Sequence, residues 1–232
     1  CKFCATGAIG HKRNMTADEI TDQILYFYLA GHQINSVSFR GMGEPFANPN
    51  LFDALKILTN PSLFGLSQRR ITISTIGMIP GIKRLTRDFP QVNLAFSLHS
   101  PFEKQRSELM PINQTYPLHK GMDALDAHVA NTKRRLFLAY IMLGGINDSA
   151  EHAKALAHLI LSRGALSYLY HVDLIPYNAT DKTARKFTAS NHEAIKNFSD
   201  ILHSNRISVA IRMQFGSDIG AGCGQLYADE RD

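Results

Sequence analysis

The sequence predicts an α/β fold built on a parallel sheet, open or curled into a barrel. Short β-branched runs alternate with amphipathic helical stretches almost to the end of the chain. Those runs are mostly apolar and do not strictly alternate, which suits strands covered on both faces. At 232 residues, with 44% apolar and 19% charged residues, the chain is long enough for one domain with a closed core and ordinary enough in composition to fold.

The chain opens on Cys1-Lys2-Phe3-Cys4, a loop feeding a helix. Architectures of this class place a strand before such a loop, so we expect a strand upstream of Cys1; a first residue that is not methionine points the same way, to a cut inside a longer sequence. Thr16 to Glu19 reads as a capping box, followed by Ile20, Ile24, Phe27 and Tyr28 on one helical face. A strand is expected over 35–40, a helix over 50–59, a strand over 71–76, a helix over 80–88 and a strand over 92–98. Pro117 opens a helix with the stripe Leu118, Met122, Leu125 and Val129, leading to a strand over 136–143. A helix over 149–163, stopped by Gly164, precedes a strand over 169–175. Ser190 with Glu193 is read as a second capping box before Ile195, Phe198, Ile201 and Leu202, and a last strand follows over 207–213.

Net charge is +5, a mild basic excess that favours a polyanionic partner without requiring one. Basic clusters occur at 11–13, at Lys83, Arg84 and Arg87, and at 133–135, each of which has the ordinary reading of a solvated face. No apolar run approaches the about eighteen residues needed to cross a bilayer, so no membrane partner is expected. Three cysteines, an odd number, argue against a disulfide framework and for a reducing compartment, here the cytoplasm.

In such folds chemistry collects at the carboxyl ends of the strands. After the first expected strand comes Gly41-Met42-Gly43-Glu44-Pro45; the next ends on Ser74, Thr75 and Gly77; the third runs into Ser97-Leu98-His99-Ser100. Gly144 to Asp148 and Pro176-Tyr177-Asn178 follow the next two, and the last leads through Gly216 to Cys223. Taken singly, Gly41-Met42-Gly43 is a tight turn, His99 a satisfied core imidazole and Cys223 a small buried hydrophobe. Their joint placement on one rim makes that rim the candidate site. A structural zinc site wants four ligands in close pairs, and no second Cys-x-x-Cys is present. A thioredoxin-like pair would sit on a helix start after a strand, with Pro or Gly between the cysteines, where this chain has Lys-Phe. A three-cysteine iron–sulfur loop whose first member lies upstream explains the pattern better and would leave one iron open.

Cys1-Lys2-Phe3-Cys4-Ala5-Thr6-Gly7 resembles the last two cysteines of the Cys-x3-Cys-x2-Cys loop of radical S-adenosylmethionine (SAM) enzymes, specifically the RlmN/Cfr family of dual-specificity rRNA adenine methyltransferases. The likeness continues through Lys12-Arg13-Asn14, Gly41 to Glu44, Ile73-Ser74-Thr75, Ser97-Leu98-His99, 109–113, Asn147-Asp148-Ser149, 174–178 and Cys223-Gly224-Gln225-Leu226. His99-Ser100-Pro101, 25–33, 169–172 and 213–216 are similar to the branch that methylates adenine C8, the chloramphenicol–florfenicol resistance type. Pro45 and Pro176 are closer to the housekeeping C2 branch, and Gly222 replaces the usual alanine.

The resemblance implies a partial (β/α)6 TIM-like barrel over 1–216, with first strand and accessory domain upstream, and a segment over 217–232 that carries the methyl-accepting cysteine. It implies that Cys1, Cys4 and an upstream cysteine hold a 4Fe-4S cluster whose open iron chelates SAM. Gly43 and Glu44 would meet the SAM amino group, and Ser74, Ser97, Leu98, His99 and Asn178 its ribose and adenine. Cys223 would take a methyl group from one of two SAM molecules used per turnover; a radical from the second would activate that methyl for addition to 23S rRNA. An upstream cysteine would resolve the crosslink. A monomer, protein-free rRNA held by basic residues, and an electron donor such as flavodoxin complete the expectation; the piece by itself is expected to retain cluster poorly.

Overall fold

The computed structural model describes residues 1–4, 6–7, 10–178 and 186–213. Six strands form one sheet in chain order, every neighbouring pair parallel: β1 (Val37–Phe39), β2 (Ile71–Thr75), β3 (Asn93–Ser97), β4 (Leu136–Met142), β5 (Tyr170–Pro176) and β6 (Ser208–Ile211). A doubly wound sheet reverses its strand order at a switch point. Sequential order is the winding of a (β/α) barrel, which decides the question that strand composition left open. Within the described residues β1 pairs only with β2 and β6 only with β5, so the wall is a partial one.

Helix α1 (Ala17–Leu29) precedes β1, and α2 (Leu51–Thr59), α3 (Ile79–Asp88), α4 (Glu103–Leu109), α5 (Leu118–Thr132), α6 (Ala150–Leu161) and α7 (His192–Ser204) fill the crossovers. Thr16 caps α1 in the expected reciprocal box with Glu19. The second expected box does not form. Asn191, not Ser190, is the N-cap of α7, accepting from the Ala194 amide, and the Ser190 hydroxyl is buried without a partner among the described residues. An Asn side chain reaches the third amide as well as Ser does, and the chain enters one residue later. Helix α4 has no counterpart in the sequence reading, because only Arg106 and Leu109 of its seven residues are buried and no apolar period announces it.

The larger hydrophobic core lies between helices and sheet, where Ile71, Ile73, Leu94, Phe96, Leu136, Leu138, Val172 and Leu174 meet the helix faces. Close approach here depends on small residues: a Cβ at Gly121 of α5 would lie 3.6 Å from the Phe96 ring, and one at Gly81 of α3 would fall 2.2 Å from that of Phe46. A second, smaller core of Phe3, Leu109, Met110, Leu143, Tyr177 and Phe187 sits beyond the carboxyl ends of the strands. Its members come from the first residues of the chain, the end of α4 and the segments after β4 and β5. It therefore gathers the loops of the rim into one packed unit.

Candidate active site

Cys1 and Cys4 lie on a tight turn in which the Cys4 amide donates to the Cys1 carbonyl at 3.2 Å. Both thiols are free, the first exposed and the second half-buried against the smaller core. The Gly7 amide donates to the Cys4 sulfur at 3.4 Å, and a Cβ at Gly7 would come within 3.1 Å of the Cys1 carbonyl oxygen and 3.5 Å of the Cys4 Cβ. A loop that curls this closely around two thiols and points an amide at one sulfur fits the ligand loop of an iron–sulfur cluster, since hydrogen bonds to the sulfurs are one means by which proteins tune such groups. Among the described residues no third His, Cys, Asp or Glu joins the pair, so further ligands would come from outside them.

Two contacts anchor this loop to the rim. The Lys2 amide donates to the Leu109 carbonyl at 2.9 Å, and Phe3, 8% exposed, inserts between the rings of His99 and Phe187. The sequence reading assigned Phe3 no role; its position between the two cysteines is the signal that marks it.

Glu44 sits after β1 in a turn whose glycines, Gly41 at φ +98° and Gly43 at φ +81°, occupy backbone conformations that side-chain-bearing residues rarely adopt. Its carboxylate is turned onto the end of β2. One oxygen accepts from the Thr75 hydroxyl at 2.6 Å and the Phe46 amide at 3.3 Å, the other from the Ile76 amide at 2.9 Å. Burial pushes this carboxyl up, opposed by those hydrogen bonds. A carboxylate desolvated without a cation is a ready acceptor for one.

Ser74 is paired in register with Ala95, and Ser97 with Ala139, which is paired with Asp173. Residues in register point to the same side of a sheet, as do residues two apart on one strand. Ser74, Ala95, Ser97, Ala139 and Asp173 therefore share the face opposite Leu94 and Phe96, the face turned away from the helices. Ala95 lies beside Ser74 and Ala139 beside Ser97, and the rings of Phe137 and His171, in register with Ala95, stand on the same face. Asp173 closes the far side in an ion pair with Arg212 at 2.6 Å and faces His171 at 3.5 Å.

Beyond β3 the chain makes an abrupt turn at His99. Its φ is +58°, and the Ser100 amide donates back to the Leu98 carbonyl at 2.8 Å. The imidazole Nδ1 accepts from the Ile141 amide at 3.0 Å, which places the ring proton on Nε2. Burial and the nearby Arg106 guanidinium depress the imidazole to about 3, so it stays neutral. Asn147, fully buried, donates to the carbonyls of both His99 and Ile141 and accepts from the Leu143 amide, tying the ends of β3 and β4 together. One imidazole nitrogen is thus spent on the backbone, as in a satisfied core histidine, and the residue itself directly follows β3.

Asn178 follows Tyr177, itself part of the smaller core. Hence Cys1, Cys4, Gly43, Glu44, Ser74, Ser97, Leu98, His99 and Asn178 are gathered at the carboxyl ends of the strands. Cys223 and the whole of 217–232 lie outside the described residues. Among those described, no helix is long and apolar enough to cross a membrane.

The basic clusters differ in their pairing. Arg13 is engaged by Glu19, while Arg84 and Arg87 both meet Asp88. Arg134 lies beside Gln91 and Asn93 on the opposite, amino-terminal side of the sheet.

A family model described as the Radical SAM superfamily matches residues 1–160. The chain is 71% identical over 230 residues to a protein of Lachnoclostridium phytofermentans named ribosomal RNA large subunit methyltransferase Cfr, a match covering 99% of this chain and 67% of that one. A Bacillus velezensis protein of the same name is 58% identical over 229 residues, covering 99% and 66%. The crystal structure of a radical SAM methyltransferase from Sphaerobacter thermophilus matches with a TM-score of 0.89 at 40% identity, over 97% of this chain and 65% of that one. A domain of pyruvate-formate lyase-activating enzyme from Bacteroides vulgatus, at 16% identity and a TM-score of 0.58, shares the fold alone. The chain spans about two thirds of the length of the methyltransferases it matches. It belongs to the radical SAM superfamily and, within it, to the RlmN/Cfr family of ribosomal RNA methyltransferases.

Proposed function

We propose that this chain is the catalytic core of an enzyme that methylates C8 of an adenosine in the peptidyl transferase centre of 23S rRNA, and so protects the ribosome from antibiotics that bind there. The observation that supports this reading is the convergence on one mouth of two free thiols, a desolvated carboxylate and the hydroxyls of Ser74 and Ser97. No nucleophilic group on an adenine ring carbon invites polar methyl transfer, so a one-electron route is the reasonable one.

Cys1 and Cys4 would hold the 4Fe-4S cluster together with a ligand from outside the described residues. With SAM bound, the cluster supplies the electron that cleaves a sulfonium C–S bond reductively. Glu44 would accept the SAM ammonium, the cation its burial favours, and Gly43 would let the backbone approach closely. Ser74 and Ser97 would present hydroxyls from the face turned away from the helices, suited to a ribose, and neither forms a side-chain hydrogen bond among the described residues. Neutral His99, its Nε2 protonated, would donate from the mouth, and Asn178 would close the adenine side. Cys223 would accept the first methyl group as a thiolate, its new S–C bond forming as the methyl–sulfonium bond of one SAM breaks; a second SAM serves the radical step. A one-electron donor such as flavodoxin and a monomeric state belong to the same reading.

The test is mass spectrometry of 23S rRNA from cells that lack the housekeeping C2 methyltransferase and express the full-length protein. A methyl group on C8 of the target adenosine, absent with Cys223→Ala, is expected. Methylation at C2 overturns the branch assignment, and an unmodified adenosine overturns the function.

A further inference from the structure

Arg106 heads the fully buried side chains by size, at 1% exposure. Burial pulls its guanidinium down to about 10, still cationic at neutral pH. A cation so placed is costly unless every donor finds a partner. Nε donates to the Leu98 carbonyl at 3.1 Å, Nη2 to those of Ile76 at 2.9 Å and Ser97 at 3.0 Å, and Nη1 to the Asn113 side-chain oxygen. The nearest carboxylate acts at one remove: Asn113, its oxygen turned to Arg106, donates from its nitrogen to Glu103 at 2.8 Å.

These three carbonyls have a common position. The ladder between β2 and β3 ends with Thr75 opposite Phe96, so Ile76, Ser97 and Leu98 lie just past it, where parallel pairing no longer holds the strands together. Arg106 replaces that pairing with a planar fork. It also braces the turn at His99, since the Leu98 carbonyl that accepts from the Ser100 amide accepts from Nε as well. A left-handed backbone at a residue with a Cβ persists only where the surroundings over-determine it. Here they are Arg106 on one side, and Asn147 and the Ile141 amide on the other.

We propose that Arg106 is a positioning residue for SAM: it sets the separation of the β2 and β3 ends and the turn at His99. The proposal rests on the reading that Ser97, Leu98 and His99 contact SAM. It touches neither the cofactor nor the reacting atoms, and its function is carried by geometry.

Arg106→Lys keeps the charge and loses the fork. In anaerobically reconstituted full-length protein, SAM affinity by equilibrium dialysis is expected to fall at least tenfold. The change that SAM produces in the electron paramagnetic resonance spectrum of the reduced cluster should be diminished at a SAM concentration that just saturates the wild type. Iron content and the melting transition should stay near wild type. Affinity within twofold of wild type in a folded, iron-loaded variant overturns the proposal. Should the lysine variant not fold, Asn113→Ala carries the test: a smaller loss of affinity supports the proposal, and wild-type affinity overturns it. If wild-type protein with its cluster loaded binds no SAM, the underlying functional reading fails, and this inference with it.

Discussion

The edge of the Phe3 ring meets the imidazole of His99, with centroids 5.1 Å apart and planes at 84°. This contact joins the loop bearing Cys1 and Cys4 to the turn that follows β3, two segments almost a hundred residues apart in sequence. Aromatic pairs at such angles contribute about 0.5–1.5 kcal/mol beyond the area they bury.

Phe3→Ala should therefore release the cysteine loop while leaving the main core intact. Loss of the ring is expected to cost about 3 kcal/mol. The measurement is iron content after anaerobic reconstitution and desalting, alongside a melt. Cluster content should drop severalfold; iron retained at the wild-type level would show that the loop is seated by other contacts.

With Glu44 as the proposed acceptor of the SAM ammonium, SAM binding is expected to depend on pH. Its carboxyl is pushed up by burial, so the empty native protein keeps this proton to higher pH than the unfolded chain does. The group's contribution to stability is greatest when protonated and declines as pH rises through its native value. A bound ammonium reverses that preference by stabilising the anion. Affinity for SAM is expected to rise with pH through the Glu44 titration and then level. Glu44→Gln should bind SAM weakly, about tenfold or worse by the scale of charged hydrogen bonds, and remove this rise. An unchanged pH profile in the variant would assign the titration elsewhere.

His99 affects stability in acid. Its imidazole sits at about 3 in the folded protein, and that of His128, buried against Thr86, at about 4. The unfolded chain takes up these protons near pH 6.5, so stability conferred by the neutral rings is complete above that value and is lost as pH falls towards the native values. Near pH 5 the loss from His99 is on the order of 2 kcal/mol. Urea unfolding near pH 5 and near pH 7.5 measures it, and His99→Gln should reduce the difference by about that amount. Equal reductions in stability for both proteins would locate the acid sensitivity in other groups.

Most of the architecture was legible because it depends on local rules. The capping box at Thr16, the proline start at 117 and apolar runs such as 71–76 and 136–143 each state their element through backbone and burial requirements that neighbouring residues satisfy. The rim was legible for a related reason: glycines, cysteines and polar residues that follow apolar strands are written next to those strands. Helix α4 was not, nor the true cap of α7, since a polar heptapeptide and a Ser-Asn pair leave two local choices of nearly equal energy.

Only the folded chain decided which distant groups share a charge or a ring. That Arg106, in a stretch to which the sequence assigned no element, is buried under three carbonyls follows from where β2 and β3 stop pairing. That Phe3 packs on His99, and that Ser74, Ser97 and Asp173 face one way across two alanines, follows from strand register. Register and burial are properties of the whole sheet, set by how all its strands and helices pack at once, and no short stretch of sequence contains them.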